Sequence, residues 1–275
     1  MTYKEAMQLG CDMLECAGVP DTKLDTWYLL EQSAKISREY YFLHIDEQMT
    51  IEQETEFREL VKKRSERVPL QYLTGETTFM GLPIKVNPSV LIPRQDTETL
   101  VEETLKVLKP EDYVLDMCTG SGCILISLLK LGENVRGMGV DISRQAVNTA
   151  MDNARNNGVV AEWECSNLFA KVTERFNVIV SNPPYIPSDV IPELMPEVRD
   201  FEPMEALDGT EDGLYFYKQI IGSARGYLLE HGYLIFEIGH DQGEAVKQLM
   251  EDESFLEVRV IQDLAHNDRV VMGHL

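Results

Sequence analysis

The stretch "SNPPYIP", Ser181 to Pro187, follows the apolar run "FNVIV" and sets four residues beside one another that suit one kind of chemistry. Proline fixes φ and has no N–H, so Pro183 and Pro184 make a stiff backbone whose carbonyls project. Asn182 adds a side-chain oxygen. A planar NH₂ group has two protons that need acceptors, and the Asn182 oxygen and the Pro183 carbonyl can take one each. Tyr185 can stack against the flat group. An amide nitrogen is a poor nucleophile because its lone pair is delocalised, and positive charge builds on it as it attacks an electrophilic carbon. Acceptors placed in advance stabilise that charge and fix the line of attack. The plain alternative is a stiff turn that ends a strand.

A second group of residues suits a nucleoside ligand. The run "DMCTGSGC", Asp116 to Cys123, ends one apolar segment, and "VDIS" ends the next. Gly120 and Gly122 allow a tight turn and a close backbone approach to a ligand. Asp141 lies 21 residues after Gly120, the usual distance for an acid that holds two ribose hydroxyls. A tight turn followed by a helix-capping acid would use the same residues. The third glycine of a dinucleotide site is missing, since position 125 is Leu, and the Lys of a phosphate-cradling loop is absent. The Asp-x-x-x-Gly-x-Gly run resembles the first motif of class I methyltransferases, which bind S-adenosyl-L-methionine. By that resemblance Asp116 lies near the cationic methionine part of the ligand. The third apolar segment ends in "CSNLF", where Asn167 either reaches an adenine or caps a turn.

These residues must be carried on strand ends. From Pro110 onward, apolar strands alternate with helical stretches: "YVLDM", helix 122–131, "VRGMGVDI", helix 143–157, "VAEWEC" (160–165), "FNVIVSN", a long loop, a helix from about 213, "GYLIFEIG" (232–239) and helix 241–252. Such alternation implies a largely parallel, doubly wound sheet with ligands at the strands' carboxyl ends. The closing strands, "FLEVRVIQD" and "RVVMGHL", have no helix between them, so one of the two is expected to be antiparallel. Residues 1–71 read as a small helical bundle. Tyr3, Met7, Gly10, Leu14 and Ala17 recur at helical spacing; Asp21, Ser37 and the Thr50–Gln53 capping box start further helices; Leu24, Trp27, Tyr28, Phe57, Leu60 and Val61 supply apolar faces; Pro69 ends the series. Residues 72–94 read as a hairpin connector, "TTFMGLPIKV", and 95–275 as the ligand-binding domain.

Charge narrows the partners. The net charge is −22, with 25 Lys and Arg against 47 Asp and Glu. Such a chain repels a phosphate backbone unless its bases are gathered on one face. The densest basic run, "KKRSER" (Lys62 to Arg67), is flanked by acids and reads as a solvated helix face. The connection from Ile186 to Asp212 is long enough for a lid. Its nine acids and single base, Arg199, read either as a solvated loop or as a wall that favours a basic protein. Five cysteines without a CxxC fit free thiols in a reducing compartment. With no basic-then-apolar leader and no long apolar run, a cytoplasmic protein without a membrane span is expected. The five histidines show no ligand spacing, so no metal is expected.

Taken over nearly its whole length, the chain resembles the bacterial release-factor glutamine methyltransferases. The resemblance rests on "QYLTGETTFMGLPIKV", "VLIPRQDTETLVE", "VLDMCTGSG", "GVDIS", "VIVSNPPYIP", "DGLYFY", "FEIGHDQ" and "DLAHNDRVV". Asn-Pro-Pro-Tyr alone is shared with adenine-N6 DNA methyltransferases; the "LIPR..TE" run behind a helical domain is more specific. The resemblance implies a class I methyltransferase fold with a mostly parallel seven-stranded sheet, preceded by an all-helical domain that helps grip the substrate protein. It implies methyl transfer from S-adenosyl-L-methionine, leaving S-adenosyl-L-homocysteine, to the glutamine of the Gly-Gly-Gln motif of class 1 peptide chain release factors. A monomer acting on protein, with no direct nucleic acid, is expected. Cys118, Thr119, Gly120, Ser121, Gly122, Asp141 and Asn182 are then cofactor contacts, and Asn167 and Leu168 approach the adenine. Asn182, Pro183, Pro184 and Tyr185 receive the glutamine. Three departures stand out: Cys118 occupies a position where the family usually has Gly, a side chain being tolerable there if φ is negative; "LIPRQDTE" replaces the commoner "LIPRPETE"; and Asn167 stands where the family often has an acid, still offering an oxygen to the adenine.

Overall fold

The computed structural model describes all residues, 1–275. They divide into two compact units, Met1–Glu76 with Met195–Phe201, and Thr77–Leu194 with Glu202–Leu275.

The first unit is helical: α1 (Tyr3–Cys16), α2 (Thr22–Ala34), α3 (Arg38–Leu43), α4 (Ile51–Ser65) and α5 (Leu70–Thr74), joined by the later α9 (Pro196–Arg199). Thr50 and Gln53 close the capping box at α4, and the Ser37 side chain accepts from Tyr40 N at α3. Asp21 precedes α2 but makes no side-chain cap bond. The core is built from Tyr3, Leu14, Trp27, Leu30, Phe57 and Val61; burial of one such side chain contributes ~1.5–3 kcal/mol. Leu24 and Tyr28, expected inside, are exposed, and Leu29 and Leu30 take the buried face of α2 instead. Pro69 does not end the helices; it is the N-cap of α5.

The basic run also differs from a solvated face. Lys62 and Lys63 are exposed, but Arg64 is 6% exposed. Its guanidinium binds Asp25 at 2.7 Å and Glu197 at 3.0 Å, and Arg67 reaches the other Glu197 oxygen at 2.7 Å. A buried arginine needs such partners, because an uncompensated interior charge is costly.

The second unit opens with the hairpin β1 (Glu76–Phe79) and β2 (Leu82–Lys85). It continues through α6 (Asp96–Val107), β3 (Tyr113–Met117), α7 (Cys123–Leu131), β4 (Arg136–Asp141), α8 (Arg144–Asn156), β5 (Glu162–Cys165) and β6 (Phe176–Ser181). After the long connection come α10 (Tyr215–Ala224), β7 (Leu228–Glu237), α11 (Gly243–Asp252), β8 (Leu256–Gln262) and β9 (Asp268–His274). The seven strands lie in the order β5-β4-β3-β6-β7-β9-β8. All neighbouring pairs from β5 to β7 are parallel, and β9 runs antiparallel to both β7 and β8. β5 starts at Glu162 rather than at Val160, which is 94% exposed.

This is the doubly wound sheet that the alternation predicts. β3 is buried throughout, as a central parallel strand between two helical layers should be. Its register sets Met117 opposite both Val140 and Ser181, so β3, β4 and β6 end at one edge. The loops after those strands therefore converge on one place.

Candidate active site

At that edge lies a cavity of about 340 Å³, inside the range of pockets that take small ligands. Its wall includes Cys118, Thr119, Gly120, Ser121, Asp141, Asn167, Leu168, Asn182 and Pro184. Gly122, Pro183 and Tyr185 are not part of it.

The loop after β3 turns through three positive φ values: Cys118 at 62°, Gly120 at 56° and Gly122 at 80°. A Cβ on Gly120 would meet nothing within 4 Å, because that side opens to the cavity. A Cβ on Gly122 would stand 2.9 Å from the Ala150 side chain. Gly122 therefore serves helix–strand packing and the turn rather than ligand contact. The negative φ that would make a side chain easily tolerated at Cys118 is not the one found. Its left-handed backbone is the conformation that glycine relieves, and a side chain there costs ~1–2 kcal/mol. Burial raises the Cys118 thiol, and the Asp141 charge adds to that, so it lines the cavity as a neutral group.

Asp141 closes the loop. Its Oδ2 accepts from Gly120 N at 2.8 Å and its Oδ1 from Ser143 N at 2.9 Å. Burial raises its carboxyl, and these backbone donors pull it back. Each oxygen retains lone pairs that a ribose hydroxyl can use. Asn167 makes no side-chain cap bond at the 3-10 turn it precedes, which leaves its amide free on the wall.

Asp116 lies elsewhere than expected. It is fully buried and absent from the cavity wall. Oδ2 accepts from the Thr119 hydroxyl at 2.5 Å and from Leu125 N at 3.3 Å, while Oδ1 has no partner. Its part is to brace the glycine loop from behind.

Across the cavity, Ser181 Oγ donates to Met117 O at 2.6 Å and ties the end of β6 to the end of β3. The Asn182 Nδ2 donates to Thr97 Oγ1 at 3.4 Å. Its other end, the oxygen, is the acceptor left for a ligand. Pro183 and Pro184 are buried. Tyr185 turns away from the cavity: its hydroxyl donates to Glu237 Oε1 at 3.3 Å, and its backbone carbonyl accepts from Gln242 Nε2 at 3.0 Å. Burial, and then the Glu237 charge, raises this phenol. A stacking role for the ring is not supported by that direction.

The later part of the long connection belongs to the wall. Ile186 N donates to Leu207 O at 3.1 Å and Gly209 N to Ile186 O at 2.8 Å. A Cβ on Gly209 would fall 2.7 Å from the Tyr185 backbone, so only glycine fits there. Pro203, Met204, Glu205, Ala206 and Asp208 then line the cavity. The nine acids do not form one acidic surface either. Glu202 is buried against Arg94 and Ile92 N, Glu197 against Arg64 and Arg67, and Asp200 and Asp212 pair with Arg199 and Lys218. Composition had no means of separating these paired acids from the solvated ones.

A doubly wound sheet with an acid-clasped glycine loop suits a nucleoside cofactor, and the chain's relatives identify it as a methyltransferase. Residues 95–192 match the family model described as "Methyltransferase small domain", and residues 5–75 match the "PrmC N-terminal domain". A solved methyltransferase from Pyrococcus furiosus superposes with a TM-score of 0.54 at 15% identity, over 71% of this chain and 90% of that one. More particularly, the chain belongs to the release factor glutamine methyltransferases. It is 40% identical to the relative of that name from Geobacter sulfurreducens, over 94% of this chain and 91% of the relative. It is 38% identical to the one from Fusobacterium nucleatum, over 95% of this chain and 76% of that relative. No helix is long and apolar enough to cross a membrane.

Proposed function

We propose that this chain transfers a methyl group from S-adenosyl-L-methionine to the side-chain amide N5 of the glutamine in the Gly-Gly-Gln motif of class 1 peptide chain release factors. The observation that carries the reading is that Asn182 lines the same cavity as Asp141 and its side-chain oxygen is left unengaged. When bound, S-adenosyl-L-methionine supplies an electrophilic methyl on a sulfonium. Asp141 holds the ribose hydroxyls, the loop Cys118–Gly120 and Ser121 shape the floor, and Asn167 and Leu168 flank the adenine. Asn182 Oδ1 accepts one proton of the incoming amide, and by the family resemblance the Pro183 carbonyl accepts the other, although Pro183 itself is not on the cavity wall. Both then face the positive charge that grows on that nitrogen. No buried base is required, since the proton can leave to solvent after transfer. The helices of residues 1–71 help to grip the release factor, a role supported by the family resemblance of that segment.

Incubation with radiolabelled S-adenosyl-L-methionine and a purified release factor tests this. Label is expected in the factor and lost when the glutamine of its Gly-Gly-Gln motif is replaced. Label that persists after that replacement, or that enters adenine-containing DNA instead, would overturn it.

Asp141→Ala is expected to weaken cofactor binding by at least tenfold in calorimetry, because hydrogen bonds to a charged acceptor are worth ~1.5–3 kcal/mol. At saturating cofactor its single-turnover rate should stay within a few-fold of the parent. An unchanged Kd would remove Asp141 from the cofactor site.

A further inference from the structure

The Asn182–Tyr185 segment is anchored at its start, where Ser181 Oγ donates to Met117 O. Pro183 and Pro184 have no N–H with which to tie themselves down, so the segment needs a hold at its far end. Gln242 supplies one. It stands at the N-cap of α11, where Ser, Thr, Asp and Asn are the usual residues, yet it makes no side-chain cap bond. It is only 8% exposed, because its side chain crosses to other elements. Nε2 donates to Tyr185 O at 3.0 Å and to Gly213 O at 3.4 Å. Oε1 accepts from Gly239 N at 3.0 Å. The Tyr217 hydroxyl, which donates to Glu237 O at 2.9 Å, lies 3.4 Å from the same oxygen. These partners fix the amide one way round. A carbonyl only accepts and a backbone N–H only donates, so the reversed side chain would set oxygen against carbonyl and N–H against N–H.

The space around the Tyr185 carbonyl is equally specific. A Cβ on Gly213, which has a φ of 67°, would fall 2.4 Å from Tyr185 O and 2.6 Å from Gln242 Nε2. The next residue, Ile186, is paired through its N–H with Leu207 and through its carbonyl with Gly209. We infer that Gln242 is a positioning residue for methyl transfer: by holding the Tyr185 carbonyl beside Gly213 it fixes the far end of the Asn182–Tyr185 segment and so aims the Asn182 oxygen into the cavity. The link is mechanical. With φ locked at Pro183 and Pro184, a shift at the Tyr185 carbonyl is passed back to Asn182 rather than absorbed on the way. Asn182 lines the cavity and Gln242 does not, so Gln242 works through the segment and not on the cofactor. The role presupposes Asn182 as the amide acceptor of the proposed function.

Two variants disturb the same carbonyl in different ways. Gln242→Met keeps the length of the side chain but has no N–H to donate. Gly213→Ala keeps the amide but sets a methyl between it and the Tyr185 oxygen. In each, kcat for release-factor methylation is expected to fall ~10–100-fold, the scale of a misplacement of about 1 Å. KM for the factor and the calorimetric Kd for S-adenosyl-L-methionine should stay within about threefold of the parent. Thermal melts establish that both are folded at the assay temperature. A second readout needs no turnover. Tyr-Ile occurs once in the chain, at 185–186. Labelling tyrosine with ¹³C at the carbonyl and isoleucine with ¹⁵N therefore gives one carbon–nitrogen correlation, that of the Tyr185 carbonyl. Its ¹³C shift is expected to move upfield in Gln242→Met, where the hydrogen bond is lost. An unmoved signal overturns the inference, because Gln242 then does not hold that carbonyl. So does a folded Gln242→Met or Gly213→Ala with kcat within about threefold of the parent, or a Kd for S-adenosyl-L-methionine that rises as far as kcat falls. If the parent chain places no label on the release factor, the proposed function fails by that result, and the carbonyl signal still decides whether Gln242 holds the segment.

Discussion

Asn182→Ala is expected to bind S-adenosyl-L-methionine within about threefold of the parent and to lose ~10²–10³ in single-turnover methyl transfer, the range found for one preorganised contact to developing charge. The two effects separate because of where the residue sits. In the proposed function ribose and adenine are met by Asp141, at the end of β4, and by Asn167 and Leu168, after β5, while Asn182 follows β6. Truncation at Asn182 leaves the first group intact and removes the oxygen that meets the nucleophile. It also leaves the Thr97 hydroxyl without its donor, at a stability cost of about 1 kcal/mol. A thermal melt beside the kinetics distinguishes that loss from unfolding. Turnover equal to that of the parent would refute the role given to Asn182. A parallel rise in Kd and fall in rate would move it to ground-state cofactor binding.

The site was legible where local rules govern it. Gly120, Gly122 and Asp141 are spaced by the geometry of one strand–loop–helix–strand unit, and that unit forms. The capping box of Thr50 and Gln53 works over three residues and also forms. What the sequence concealed depends on partners far along the chain. Arg64 reads as part of a solvated run because nothing nearby announces Glu197, 133 residues later. Glu202 reads as one acid among nine until Arg94, 108 residues earlier, claims it. The ring of Tyr185 reads as a stacking surface until Glu237, 52 residues away, draws its hydroxyl inward. In each case a buried charge or a buried hydroxyl had to find a partner, and residue type told which groups had that need but not where it would be met. Cys118 failed differently. Its left-handed φ belongs to the loop, and the chain keeps a non-glycine there at the cost of strain.

Asp116→Asn is expected to stabilise the protein at pH 8 and to do so progressively less as pH falls to 5. Burial pushes the Asp116 carboxyl up to about 7, against the pull of the Thr119 hydroxyl and the Leu125 N–H. In the unfolded chain an aspartate titrates near ~3.9. Between those values the native state binds the extra proton, so its stability falls as pH rises from ~4 to about 7 and stays lowered above that. With ~1.4 kcal/mol per pKa unit, the penalty at pH 8 has an upper bound of about 4 kcal/mol. Asparagine cannot ionise and avoids it. Its Oδ1 can keep the Thr119 and Leu125 donors, and its NH₂ takes the place of the unpartnered Oδ1. Melting curves of both proteins at pH 5 and pH 8 isolate the one group, because every other titration is shared. A variant less stable than the parent at pH 8 would show that the ionised form is the one the fold is built around. Cofactor affinity adds a second decision. Asp116 is outside the cavity wall, so Asp116→Asn should bind S-adenosyl-L-methionine within a few-fold of the parent; a tenfold loss would return Asp116 to the neighbourhood of the cationic methionine.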